Sequence, residues 1–161
     1  MESNPKIVAT TTMVVDMVQV IGGEELDVTG LMAPGVDPHT YNLPARAIAD
    51  LKTADGVIYS GHHLEGRTEE LYTPLKDSGT TVLAVAETVD KAKLLFEEGF
   101  DDHPDPHIWG DPAIWSTCVP AVVEALSEVS PENAEDFKKR GATFQSELTQ
   151  LDAWAKERIA T

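Results

Sequence analysis

Four short runs rich in β-branched residues punctuate the first half of the chain, and each is followed by a stretch of different period. The runs are Lys6 to Thr10, Leu26 to Met32, Gly56 to Ser60 with VIY at its centre, and TTVLAV at 80–85. Between the first two, Met13, Val14, Met17, Val18 and Ile21 recur on one helical face that ends at Gly22-Gly23. Ala45, Ile48 and Leu51 do the same between Pro44 and Ala54, and Leu64, Thr68, Leu71 and Leu75 form a third stripe that stops at Gly79. A crossover is needed to return the chain to the same strand direction, so this alternation predicts an α/β fold: a four-stranded, mainly parallel sheet with helices on both faces. Ligands of such sheets gather beyond the carboxyl ends of the strands.

The second half reads differently. Residues 86–106 mix charge and aromatics without period, a long loop and the one candidate for a mobile segment. Asp111 caps a helix with Pro112 at its first position and Ile114, Cys118, Val122, Ala125 or Leu126, and Val129 on its inner face; Pro120 predicts a kink. Ser130-Pro131 opens a last helix whose Phe137, Phe144, Leu148, Leu151, Ala155 and Ile159 make one stripe running nearly to Thr161. Gly141 weakens that helix by roughly 1 kcal/mol without ending it. About thirty helical residues span about 45 Å, against a radius of gyration of roughly 15 Å for a domain of this size. This helix should cross the whole body and can project past it.

Composition narrows the function classes. A length of 161 residues suits one domain. Twelve basic against twenty-eight acidic residues leave a net charge of −16, which argues against nucleic acid as a partner and raises the local concentration of cations. No run approaches the roughly 18 apolar residues of a membrane span. Cys118 is the single cysteine, so neither an intrachain disulfide nor a CxxC site is available. The start, MESNPKIVATTT, lacks the features of a secretion signal; the expectation is a cytoplasmic protein or one whose leader lies outside this sequence.

The chemistry concentrates in a repeated motif. Asp-Pro-His occurs at 37–39 in PGVDPHTYN and at 105–107 in HPDPHIWGDP, each with an aromatic two places on. Proline fixes its own φ and holds the preceding Asp extended, so each histidine leaves a stiff turn. Both turns follow strands of the expected sheet. Two imidazoles delivered to one rim suit a first-row divalent metal, with Asp37 and Asp105 as acceptors that set the ring tautomers. His63, from the adjacent pair His62-His63 in GHHLEG, lies on the same rim and is a third candidate. Glu65 reads as a first-turn helix residue, Asp101, Asp102 and His103 as a solvated acidic turn, and Trp109 and Trp115 as packing of the loop onto the helix. GxSxG, the P-loop, GxGxxG behind the first strand, HExxH and HxxEH are all absent.

Taken together, KIVATTTMVVDMVQVIGG, LMAPGVDPHTYN, LKTADGVIYSGHHLEG and DPHIWGDPAIW resemble the zinc- and manganese-binding solute receptors of bacterial ABC importers. The resemblance covers nearly the whole chain, with four motifs in the family's order. It implies that His39 and His107 are metal ligands, with His63 auxiliary, and that the cargo is Zn²⁺ or Mn²⁺. It further implies one lobe of a two-lobed receptor over residues 1–129 and a linker helix over 130–161, with the second lobe and its two ligands outside this sequence. The location implied is periplasmic or otherwise extracytoplasmic, with a membrane permease as partner and binding rather than turnover as the activity. The family's zinc receptors commonly carry a His-rich loop before the second motif, and the sparse DDHPDPH here leans toward manganese. Two imidazoles do not complete a zinc shell, so binding by this piece is expected to be weak unless His63, water or a second copy fills it; the exposed lobe interface and the apolar stripe of the last helix predict a homodimer or helix-exchanged oligomer. Two other classes fit the residues: a small metal-dependent hydrolase with Asp37 or Glu65 as base, and a structural dimerising domain with incidental histidines.

Overall fold

The structure, a computed structural model, describes residues 3–96 and 103–159. Four strands, β1 (Lys6–Ala9), β2 (Asp27–Gly30), β3 (Gly56–Tyr59) and β4 (Thr81–Ala84), form one sheet in the order β2-β1-β3-β4. All three pairings are parallel, with Val8 opposite both Thr29 and Val57, and Val57 opposite Val82. The chain steps from β1 out to β2, then crosses back over β1 to β3. That reversal places the switch point between the carboxyl ends of β1 and β3, where a crevice opens.

Side chains alternate across the sheet as the pleat requires. Ile7, Ala9 and Ile58 enter the larger core with α1 (Thr12–Gly22), α4 (Pro112–Val129) and α5 (Ala134–Ile159), while Val8 and Val57 enter a smaller one with Leu51 and Tyr72. The second face is covered by α2 (Ala45–Lys52) and α3 (Thr73–Asp77). Helices on both faces, as the alternation predicts, leave the sheet no solvated side. Among the described residues, no helix is long and apolar enough to cross a membrane.

Three sequence expectations need correction. The stripe from Leu64 to Leu75 is not one helix: a 3-10 segment, Gly66–Leu71, gives way to the short α3, which starts afresh with Pro74 in its first turn because proline has no N–H to continue the ladder. Leu71 is consequently exposed, and Tyr72 takes the inner position with its ring 4.6 Å from that of Tyr59. Ile48 is also exposed, since α2 buries Ala47 and Leu51 instead. The loop after β4 is partly built: 3-10 turns at Ala86–Thr88 and Lys91–Lys93 bury Ala86, Val89 and Leu94, and Phe96 pairs with Pro104. Asp101 and Asp102 lie outside the described residues.

The two long helices dock through polar as well as apolar contacts. Helix α4 continues through the exposed Pro120, whose missing N–H leaves the Ser116 carbonyl without its helical donor; Gln145 of α5 donates to that oxygen at 2.9 Å. Arg140 caps the carboxyl end of α1, donating from Nε to Ile21 O at 2.6 Å and from Nη2 to Gly22 O at 3.0 Å while pairing with Glu25. Helix α5 begins at Ala134, after a 3-10 turn over Pro131–Asn133. Phe137, Gly141 and Leu148 form its buried face, but Leu151, Trp154 and Ile159 are exposed, so among the described residues the last third of the stripe is not packed on the lobe.

Gly141 has a reason to be there. A Cβ on it would collide with Val123 Cγ2 and stand 3.4 Å from Val119 Cγ1. Helix propensity alone favours Gly141→Ala by about 1 kcal/mol, yet overpacking of this kind costs roughly 1–3 kcal/mol. The expected outcome is net destabilisation in urea denaturation, relieved when Val123→Ala is added.

Candidate metal centre

The rim of the sheet is stitched together before any histidine is placed. The ladder runs past the strands: Met32 N donates to Thr10 O at 3.1 Å, Thr10 N to Ile58 O at 3.2 Å, and Ala86 N to Ser60 O at 2.8 Å. At the centre sits Glu65, only 1 % exposed. Its Oε1 accepts from Thr10 Oγ1 and from Ser60 N, both at 2.6 Å, and its Oε2 accepts from Gly61 N at 3.1 Å. Glu65 does stand at the start of a helical segment, as the sequence suggests, but it acts there as a buried clamp between the ends of β1 and β3. The turn it holds is demanding, because Gly61, His62 and His63 all have positive φ (88°, 50° and 59°), and left-handed backbone costs a side-chain-bearing residue roughly 1–2 kcal/mol. At Gly61 a Cβ would also stand 3.1 Å from that of Ala84.

His39 and His107 meet on this rim. The first turn, Pro38–Thr40, is closed by Asp37, whose Oδ1 accepts from His39 N at 2.9 Å and whose Oδ2 accepts from Thr40 Oγ1 at 3.3 Å. Tyr41 ties the same loop to β2 by donating to Leu31 O at 2.9 Å. The second turn repeats the backbone bond, Asp105 Oδ1 accepting from His107 N at 2.9 Å, and adds a contact of 2.6 Å to His107 Nδ1. Trp109 stands edge-on to the His107 ring at 5.2 Å, while Trp115 is buried in the core. The aromatic after each motif therefore steadies its loop in a different way.

The two Nε2 atoms face each other at 3.2 Å, with ring centroids 5.2 Å apart. Two nitrogens bound at roughly 2.0–2.1 Å to a tetrahedral ion stand about 3.3–3.4 Å apart, so the pair is already spaced as zinc ligands are. Asp105 holds the His107 proton on Nδ1 and leaves the Nε2 lone pair free. The hydrogen bonds from His107 backbone and ring also keep the Asp105 carboxyl below its ordinary pKa. Asp37 does not share the tautomer role expected of it: its oxygens are spent on the turn.

His63 borders the same open hollow, of about 660 Å³, together with His39, His62, His103, Asp105 and His107. It does not join the pair. Its Nδ1 lies 3.6 Å from Glu69 Oε2 and its ring 5.8 Å from that of His103. Burial, followed by the charges of Glu65 and Glu87, pushes the Glu69 carboxyl up to about 7, and burial lowers the pKa of His62. Among the described residues, no three His, Cys, Asp or Glu side chains are grouped to hold an ion. Glu69 and the clamp role of Glu65 escaped the sequence reading, which took His103 as part of a solvated acidic turn. The only hint of the clamp was the spacing of Glu65 from Ser60, which lets a side chain reach back over a tight turn.

A parallel α/β lobe carrying paired imidazoles at its switch point defines a class, the metal-binding solute receptors. The chain belongs to the family described as zinc-uptake complex component A, periplasmic, which it matches over residues 7–161. It is 36% identical over 155 residues to the manganese-binding lipoprotein MntA of Bacillus subtilis, covering 96% of this chain and 50% of that protein. It is also 36% identical over 157 residues to the zinc-binding protein TroA of Treponema pallidum, covering 98% and 50%. The solved structure of that periplasmic zinc-binding protein superimposes with a TM-score of 0.88 at 37% identity, over 94% of this chain and 54% of the other. Fe(III)-bound YtgA from Chlamydia trachomatis gives 0.85 at 28%, over 98% and 55%. The chain thus spans about half the length of the curated relatives it matches.

Family and geometry together disfavour the hydrolase and the purely structural readings. Glu65 is buried with both oxygens hydrogen-bonded inside the protein, so it does not face the hollow as a base. Glu65→Gln replaces one acceptor with a donor facing a donor, and a buried polar group left unsatisfied costs roughly 1–3 kcal/mol. A loss of that size in denaturant unfolding is expected.

Proposed function

We propose that this chain is the metal-capturing lobe of an extracytoplasmic receptor that binds Zn²⁺ or Mn²⁺ and hands it to an ABC permease at the membrane. The observation that carries the reading is the 3.2 Å approach of His39 Nε2 to His107 Nε2, from turns sixty-eight residues apart. Residues 1–129 act as the lobe and 130–161 as the linker helix. His39 and His107 donate nitrogen, and His63 serves the same hollow as an auxiliary group. The names of the relatives support the choice of cargo: manganese, zinc and iron are each bound by a similar protein. A net charge of −16 favours the approach of cations.

The activity is binding, not turnover. Two nitrogens leave an ion's remaining positions to water, to a second copy of the chain or to groups outside the described residues. The exposed Leu151, Trp154 and Ile159 support self-association through α5, as a homodimer or with exchanged helices. The periplasmic family description supports the location.

Calorimetric titration with Zn²⁺ and Mn²⁺ tests the reading. His39→Ala and His107→Ala are each expected to abolish the tight step; binding unchanged in both variants overturns the proposal. A second comparison follows from the unequal aspartates. Asp105→Asn is expected to weaken the tight step by roughly 10- to 100-fold, the usual effect of removing a carboxylate from a ligating imidazole. Asp37→Asn should leave affinity nearly unchanged.

A further inference from the structure

The two imidazoles of the pair are held unequally. His107 is fixed at its ring by Asp105 and flanked by Trp109. In the other turn the Asp37 oxygens stop at the His39 backbone N–H and the Thr40 hydroxyl. The direction of the His39 ring is therefore set by where its loop starts and by what stands behind it.

Both lead back to one buried carboxylate. The loop leaves β2 through Leu31 and Met32: Met32 N donates to Thr10 O at 3.1 Å, and Leu31 O accepts from the hydroxyl of Tyr41, two residues past His39, at 2.9 Å. Behind the loop stands the turn 61–66. Gly66, at φ 55°, lies so close to the His39 backbone that a Cβ on it would stand 3.7 Å from His39 O. Glu65 holds that turn from within by accepting from Ser60 N and Gly61 N, and the Thr10 hydroxyl donates to the same carboxylate at 2.6 Å. Thr10, Ser60 and Glu65 are all buried, so no solvent replaces a bond that is lost.

We infer that Glu65 and Thr10 are positioning residues for metal capture: by tying the start of the His39 loop to the turn that backs it, they set the direction of the His39 ring without touching the ion. The inference rests on the metal-binding reading of the hollow. Groups that orient a ligating histidine change affinity by roughly 10- to 100-fold when removed. Loss of the Thr10 hydroxyl leaves Glu65 two of its three donors, so the effect expected is at the lower end, about 10-fold.

Zinc titration of the full chain by calorimetry, with the imidazole ¹H–¹⁵N correlations as a second readout, tests it. Thr10→Val keeps the side chain's shape and removes only the donor; it should bind zinc about 10-fold more weakly, with the His39 signals shifted or broadened before zinc is added. Glu65→Gln should weaken binding at least as far. Thr10→Ser restores the hydroxyl and should recover wild-type affinity. Gly141→Ala, destabilised at the contact of α4 with α5, is the control for stability alone and should bind zinc as wild type does. Wild-type affinity in Thr10→Val, unmoved His39 signals in that variant, no recovery in Thr10→Ser or an equal loss in Gly141→Ala overturns the positioning role while leaving the metal site intact. No zinc binding by wild type overturns the underlying reading as well.

Discussion

The geometry of this rim depends on a carboxylate that never meets solvent. Glu65 accepts three hydrogen bonds from the ends of β1 and β3, at the place where the sheet reverses its winding order. Parallel strands diverge as they leave a twisted sheet, so loops departing from neighbouring strands are not held in register by the ladder itself. Here the ladder runs on past the strand ends, and the buried acceptor ties the two central strands together at that level. Hydrogen bonds to an ionised group are about twice as strong as neutral ones, which helps offset both the desolvation of Glu65 and two left-handed histidines. The loops that carry the imidazoles start from a platform fixed to within a hydrogen-bond length.

How much of this the sequence discloses depends on which interactions are local. Strand and helix alternation is written in side-chain period, and the parallel sheet with helices on both faces follows from it. The caps are local too: Asp111 accepts from Ala113 N and Ile114 N as its position before Pro112 predicts. The two Asp-Pro-His turns could be placed on one rim because topology alone sends successive strand ends there. The third helix was misread because hydrophobic spacing does not register the break that Pro74 makes. The clamp role of Glu65 was missed because one of its partners, Thr10, is brought to it by strand order across fifty-five residues, and the other two, Ser60 and Gly61, give only a spacing as a hint. His103 is exposed, as the reading of a solvated turn expects, and its approach to His63 crosses forty residues of chain that the sequence does not connect.

The last helix shows the same division of information. Its amphipathic stripe is visible as a pattern, but a pattern does not say where the partner ends. Arg140 on the carboxyl end of α1 and Gln145 on the carbonyl freed by Pro120 anchor α5 over its first half. Beyond Leu148 the stripe continues in sequence while the body of the lobe does not. The polar anchors are directional where the apolar stripe is not, so they fix the helix's register on the lobe and leave Trp154 and Ile159 facing outward.

The repeated motif ends up doing two different jobs. Both aspartates close their turn through the backbone N–H of the histidine two residues on, the short-range bond for which Asp-Pro-X is suited. Only Asp105 has an oxygen within reach of a ring nitrogen as well, because His107 enters a 3-10 turn at Ile108–Gly110 with Trp109 against its face. His107 is thereby oriented in advance, whereas His39 is held through its backbone. For the proposed metal site this means one imidazole already oriented and a second that has only to settle its tautomer. Identical tripeptides thus give one imidazole oriented by its own aspartate and one held only through its backbone, and the difference is made by residues outside the repeat.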